Sequence, residues 1–278
     1  FEGDLAAKYD VIVLPSGTSK ERMVQGLSPA RYDETWRWAY GAGEEGWKKL
    51  EQWVRQGGTL VAIGSAVETA RDLLGLPIEK VLPEAPRRFR RRPEPGPGPA
   101  EPQIPRSEAE RMLKEAFQSP GRLVKLMKDK VVDPTSVFYC PGSLLHHEYN
   151  TGHPVAYGMP ENWPVFFRYD QAYRLRPSFD IPAQVVSRYP DAGNMVASGW
   201  LLGEELLRDQ ANVVAFEVGR GNVVTLGSQV EFRTQTRATF KLLFNAVFQG
   251  PAVKLDSRGL SRLSRTGGMP TGQEASDR

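Results

Sequence analysis

Two short apolar runs, each stopped by small residues and each followed by a helical pattern, constrain this chain more than any other feature. The first, KYDVIVLP at 8–15, is β-branched at its centre and ends at Pro15-Ser16-Gly17, which reads as a buried strand. The second, TLVAIG at 59–64, turns at Gly64-Ser65-Ala66 straight into a helical pattern over 66–74. Between them, residues 44–56 place Trp47, Leu50, Trp53 and Val54 on one helical face, and Gly57-Gly58 supplies a C-terminal stop. An order of strand, helix, strand, helix closes most simply as a parallel sheet covered by helices. The expectation is an α/β fold with a mostly parallel sheet.

The rest of the chain is punctuated more heavily. Residues 16–43, rich in Gly, Ser and Tyr, read as a long loop with a short helix. Residues 83–106 contain RRFRRRPEPGPGPAEPQIPR. Proline removes backbone donors and glycine adds chain entropy, so this segment is expected to be an extended linker. Its Arg87, Arg88, Arg90, Arg91 and Arg92 suit a phosphate or an acidic surface, and equally a solvated loop. Residues 107–130 are helical by pattern, with Ser107 and Glu110 as a capping box and a break at Ser119-Pro120-Gly121. An apolar run at 136–145 is interrupted by Pro141-Gly142, and short strands are expected at 164–169, 184–189 and 195–198. Residues 212–218 and 222–228 flank Gly219-Arg220-Gly221, a hairpin signal. A last helix at 234–248 places Phe240, Leu243, Phe244, Val247 and Phe248 at helical spacing and should pack on the sheet. One domain over 1–250, interrupted by the linker, is expected to precede a disordered, Ser-, Gly- and Arg-rich tail at 251–278.

Composition excludes several classes. With 278 residues, 40% of them hydrophobic, the chain can bury a sizeable core. Its 36 basic and 33 acidic residues leave a net charge of +3, without the dominant basic stripe of a nucleic-acid binder. A single cysteine, Cys140, forbids an internal disulfide or a thiolate metal cluster, and it reads as a buried structural thiol. No apolar run reaches the roughly 18 residues of a membrane span. No signal peptide is visible, and a chain that opens on Phe1 reads as a fragment, which leaves export undecided.

The strand-to-helix corner is the first place to look for chemistry. A nucleophile held at such a corner needs small residues two before and two after it. Around Ser65 these are Ile63 and Val67, both β-branched; around Gly64 they are Ala62 and Ala66. The steric frame is present, but its centre has no side chain. Ser65, the sole catalytic candidate, reads otherwise as the N-cap of the following helix. A serine nucleophile also needs a base. The histidines, His146, His147 and His153, lie together in HHEYNTGH, which lacks the spacing that puts two imidazoles on one helical face. They read as loop residues, and no metal-ligand set is assigned. Glu204 and Glu205 are adjacent, point in different directions, and fit a helix start better than an acid–base pair. Glu231 and Arg233 follow an expected strand, where parallel sheets bind ligands. They are either a structural ion pair or, with Gly64 and Ser65, candidates for ligand binding.

Five stretches carry a resemblance: GDLAAKYDVIVLPSG, WVRQGGTLVAIGSA, FYCPGSLL, ASGWLLGEELL and GSQVEFRTQTRATFKLLFNAVF. Together, outside the linker and from Gly3 to Pro251, they resemble the C-terminal region of bacterial zinc carboxypeptidase-like proteins of the carboxypeptidase A type. That region is similar to a class I glutamine amidotransferase domain. The resemblance implies a flavodoxin-like, mostly parallel sheet between helices, lacking its first strand and carrying an added antiparallel hairpin. Working amidotransferases have a cysteine at the corner and a late His-Pro-Glu; here stand Gly64 and GSQVEFR. Their chemistry is therefore not implied. The zinc-binding His-x-x-Glu of the peptidase is also missing, so zinc is expected only in a peptidase domain outside this chain. The implied role is a non-catalytic accessory domain, partnered by its own peptidase domain or by further copies of itself, in a secreted or periplasmic protein. Two other readings stay open. One is a small-molecule hydrolase using Ser65. The other is a ligand-binding or oligomerisation module, like the related middle domains of some glycoside hydrolases, with Trp36, Trp38, Tyr40 and Trp163 available to stack on sugars.

Overall fold

The first βα units form where the apolar runs place them. In a computed structural model, which describes residues 3–27, 33–82, 111, 137–168, 170–234 and 236–250, Val11–Leu14 (β1) pairs in parallel with Thr59–Ile63 (β2). Between them lie Lys20–Gln25 (α1) and Gly43–Gln56 (α2), and Ala66–Leu74 (α3) follows β2. α2 buries Trp47, Leu50, Trp53 and Val54, the face that its spacing marks. Gly57 and Gly58 donate back to Val54 O and Trp53 O, closing its end. Ser19 caps α1 by accepting the Arg22 N–H at 3.2 Å.

β2 explains why its sequence is apolar without alternation. All five of its residues are buried. Leu60 and Ala62 join a core with α2 and α3, whereas Val61 and Ile63 face the opposite core. That second core is closed by Phe240–Gln249 (α4) through Leu242 and Ala246. A strand covered on both faces needs apolar residues at every position.

The remaining strands correct the flavodoxin-like, mostly parallel expectation. They are Ile78–Lys80 (β3), Ser143–Tyr149 (β4), Asn162–Phe167 (β5), Tyr173–Leu175 (β6), Ala183–Arg188 (β7), Val196–Ser198 (β8), Ala211–Val218 (β9) and Gly221–Leu226 (β10). The main sheet runs β1-β2-β10-β9-β7-β4-β5. Only β1–β2 and β2–β10 are parallel; β10–β9, β9–β7, β7–β4 and β4–β5 are antiparallel. The sheet is mixed. The hairpin β9–β10 is not an addition at its margin but its centre, joining the parallel and antiparallel parts. The reason lies in the connections: from β4 to β10 no α-helix intervenes among the described residues, and parallel pairing needs a crossover of a dozen residues or more.

Two local expectations also change. The histidines of HHEY lie within β4, not in a loop. In α4 the aromatic stripe faces outward: Phe244 and Phe248 are 54% and 74% exposed, while Leu242 and Ala246 pack inward. The expected linker at 83–106, most of the expected helix at 107–130 and the tail at 251–278 lie outside the described residues.

Candidate functional site

The three mutually parallel strands end side by side, and each ends in a Gly/Ser pair. β1 leads through Pro15 to Ser16-Gly17, β2 to Gly64-Ser65, and β10 to Gly227-Ser228. The Gly64 N–H donates to Leu226 O at 2.7 Å, tying the corner to β10. Gly64 has φ +56°, a conformation that glycine adopts without strain. A Cβ there would lie 2.7 Å from Ser16 Oγ, so the corner has no room for a side chain at its centre.

Ser65 stands at the N-cap position of α3, as expected, but its side chain does not cap the helix. Its backbone is already helical, and its hydroxyl makes no bond to its own helix. Instead, Ser65 Oγ accepts the Gly17 N–H at 2.8 Å and lies 3.4 Å from Ser16 Oγ. One turn later, Thr69 Oγ1 donates to Thr18 O at 2.8 Å. Arg22 completes the stitching by donating to Gly17 O at 3.0 Å. The 15–18 loop is thus fastened to the start of α3, and Ser65 is one of the fasteners.

None of the three imidazoles serves Ser65. His146 and His147 sit on β4, separated from β2 by β10, β9 and β7 in the sheet. His146 Nδ1 is 2.7 Å from Asn162 Oδ1. His147 is fully buried; burial, and then the neighbouring His146, push its imidazole down to about 3. His153 Nδ1 accepts the Val155 N–H at 3.1 Å, capping the turn Pro154–Ala156. It shares a cleft with Thr59, at the opposite end of β2 from Ser65. Cys140 is buried in a third core with Phe167 and Tyr189, and burial raises its thiol above the ordinary range.

The titratable group near the corner is Asp170, and sequence reading missed it. Gln229 spans the two: its Cγ lies 3.3 Å from where a Gly64 Cβ would be, and its Nε2 donates to Asp170 Oδ1 at 3.4 Å. Asp170 Oδ2 also accepts the Arg168 N–H at 3.3 Å. Burial pushes the Asp170 carboxyl up to about 7; the hydrogen bonds from Arg168 and Gln229 oppose this, and Glu231 adds to it. Beside them, Asn212 Nδ2 donates to Tyr189 Oη at 3.2 Å and Ser228 Oγ at 3.0 Å.

Glu231 and Arg233 do not form an ion pair. Glu231 lies within electrostatic reach of Asp170, and its Oε2 is buried without a hydrogen bond. Arg233 turns away over the Phe232 ring, 5.2 Å from its centroid, and Phe232 stacks on Phe166 at 4.8 Å. Arg233 and Thr234 have φ +46° and +56°, left-handed conformations that cost energy for residues bearing a Cβ. Of the four sequence candidates, the fold brings Gly64, Ser65 and the Glu231 region to one end of the sheet and points Arg233 elsewhere. Glu204 pairs with Arg208 at 2.7 Å. Of the missed residues, Ser16 and Ser228 carried one usable signal, three strands each followed by a Gly/Ser pair; Gln229 and Asp170 carried none. The whole offers hydroxyls, carboxylates and, at Asp170, a proton held to near neutrality, with no base hydrogen-bonded to the serine among the described residues. Among the described residues, no group of three or more His, Cys, Asp or Glu is placed to hold a metal ion.

No protein-family model and no curated protein sequence matches the chain. Solved structures of similar outline include a cytoplasmic protein from Salmonella typhimurium, 12% identical with a TM-score of 0.44, covering 88% of this chain and 74% of that one. A ThuA-like protein from Bacteroides uniformis is 16% identical with a TM-score of 0.34, covering 90% and 72%. A β-galactosidase from Bacillus circulans sp. alkalophilus is 13% identical with a TM-score of 0.36, covering 91% of this chain and 24% of that one.

Proposed function

We propose that this chain is a non-catalytic accessory module of a zinc carboxypeptidase-like protein, using the Gly/Ser corner to bind a ligand or to dock its peptidase domain. The observation that carries the non-catalytic part is the engagement of Ser65. Its hydroxyl accepts the Gly17 N–H and otherwise lies near only the Ser16 hydroxyl, so among the described residues it makes no hydrogen bond to a group able to take its proton, as a serine nucleophile requires. The attachment to a zinc peptidase rests on the five sequence stretches. Zinc would then belong to the peptidase domain.

Two measurements test this reading. An alkyl fluorophosphonate should leave Ser65 unlabelled, and the chain should hydrolyse neither activated esters nor peptides. Hydrolysis that disappears in Ser65→Ala would make the chain a hydrolase and end the accessory reading. The gene should also encode, in the same frame, a peptidase domain with His-x-x-Glu and a later histidine. A complete gene without one would remove the peptidase assignment while leaving the empty corner intact.

A further inference from the structure

The last helix is amphipathic the wrong way round for one that faces water. A surface helix turns its apolar side to the core and its polar side to solvent. In α4, FKLLFNAVFQ, the polar side chains are Lys241, Asn245 and Gln249, and all three serve the interior of the fold. Lys241 Nζ donates to Gly158 O at 2.6 Å. Asn245 Nδ2 donates to Val155 O at 3.0 Å and to Tyr157 O at 2.9 Å. Gln249 Oε1 is buried. The outward positions fall instead to Phe244 and Phe248, one turn apart and 54% and 74% exposed. The bonds from Asn245 fasten the turn Pro154–Ala156 and its following residue, Tyr157, to the same stretch of helix. Tyr157 is 76% exposed, so a third ring joins the patch.

Area and charge decide what covers these rings. At about 200 Å² each, the three leave roughly 400 Å² uncovered, half of the ~800 Å² that a stable dimer buries on each copy. Apolar patches of that size mark interaction surfaces. A helix flank is convex, whereas small-molecule sites are concave, so the occupant is itself a large surface. A helix that lies on a membrane carries several Lys and Arg on its polar face; α4 has Lys241 alone, and that ammonium is engaged by Gly158 O. The same lack of charge gives the patch no field with which to select an acidic or a basic protein. An uncharged patch of rings complements itself, which is the requirement for a two-fold interface between identical chains.

We infer that two copies of this chain associate through α4 about a two-fold axis, with the helices antiparallel, Phe244 of each copy against Phe248 of the other, and the Tyr157 rings at the rim. The inference does not rest on the accessory reading; it holds whether or not a peptidase is attached.

Analytical ultracentrifugation of the full chain, between about 1 and 200 µM, should show a monomer–dimer equilibrium with a Kd of about 10 µM or tighter. Phe244→Glu and Phe248→Lys change side chains that are exposed in the single copy, so the fold should survive them, which circular dichroism checks. Each should weaken the dimer at least about tenfold, because association would bury a charge against a ring. Mixed in equal amounts, the two variants should associate at least about tenfold more tightly than either does alone. Each mixed dimer sets a carboxylate against an ammonium on one side of the axis and keeps two rings together on the other. Phe179→Glu, at a fully exposed ring before β7, should leave the dimer unchanged. A chain that stays monomeric at about 200 µM would overturn the inference. So would a dimer indifferent to both variants, weakened equally by Phe179→Glu, or not restored by mixing. Co-sedimentation of a monomeric chain with phosphatidylserine vesicles, lost in both variants, would overturn it in favour of a membrane surface.

Discussion

Gly64 shows how much one position can decide. With φ +56° and Ser16 Oγ 2.7 Å from a potential Cβ, it carries both a backbone and a packing restriction. Gly64→Ala should destabilise the fold by about 2–3 kcal/mol, the sum of left-handed strain and a displaced loop; chemical denaturation would measure it, and a loss within error would mean the corner is not rigid. Ser65→Ala is milder. It removes one exposed hydrogen bond to the Gly17 N–H, which water can replace, so about 0.5–1 kcal/mol is expected. The small residues around Gly64 were legible in the sequence because an elbow has fixed steric needs. The true partner of the Ser65 hydroxyl was not, because Gly17 lies 48 residues away along the chain and local rules describe only the helix that Ser65 enters.

The hairpin β9–β10 is the element on which the sheet turns. Its tip packs against the end of α2: a Cβ at Gly221 would collide with Val54 O, and one at Gly219 would lie 2.7 Å from Arg55 O. Gly221→Ala should therefore cost more than an ordinary surface change, about 2–4 kcal/mol, because backbone, not a movable side chain, stands in the way. A loss under about 0.5 kcal/mol would show that α2 yields to the hairpin. The Gly-Arg-Gly signal identified this hairpin in the sequence, yet gave no hint of its central place. The phase of α4 was hidden for a related reason. Its apolar residues are numerous enough to define more than one stripe, and only the sheet chose Leu242 and Ala246 over Phe244 and Phe248.

Across the whole molecule, two buried groups set opposite dependences of stability on pH. Asp170 titrates at about 7 in the fold against an ordinary value of 3.8. Between those values the native state keeps a proton that the unfolded chain has lost, so stability falls as pH rises toward 7 and is flat beyond it. His147 titrates at about 3 against an ordinary 6.5. There the unfolded chain gains a proton that the native state refuses, so stability falls as pH drops from 6.5 toward 3. Asp170→Asn should raise stability at pH 8, on the order of a few kcal/mol, and add little at pH 4. His147→Phe should do the reverse, and its ring can keep the edge-on contact with Tyr189 at 4.3 Å. Urea melts at about pH 4 and 8 separate the two, and equal gains at both values would refute the assignment of either group. The environment of neither was legible in the sequence, where Asp170 went unremarked and His147 read as a loop residue, since an acid or imidazole acquires its burial only from distant strands. The sequence alone determined the first βα units, the buried face of α2, the hairpin and the steric frame at Gly64, because period, turn chemistry and small-residue spacing act over a few neighbouring residues. Tertiary structure alone decided the mixed strand order, the engagement of Ser65 by Gly17, the raised carboxyl of Asp170 and the pairing of Arg188 with both Glu148 and Asp209. Each of these depends on segments tens of residues apart, and which of them meet is settled by the global competition for buried area, not by any local pattern.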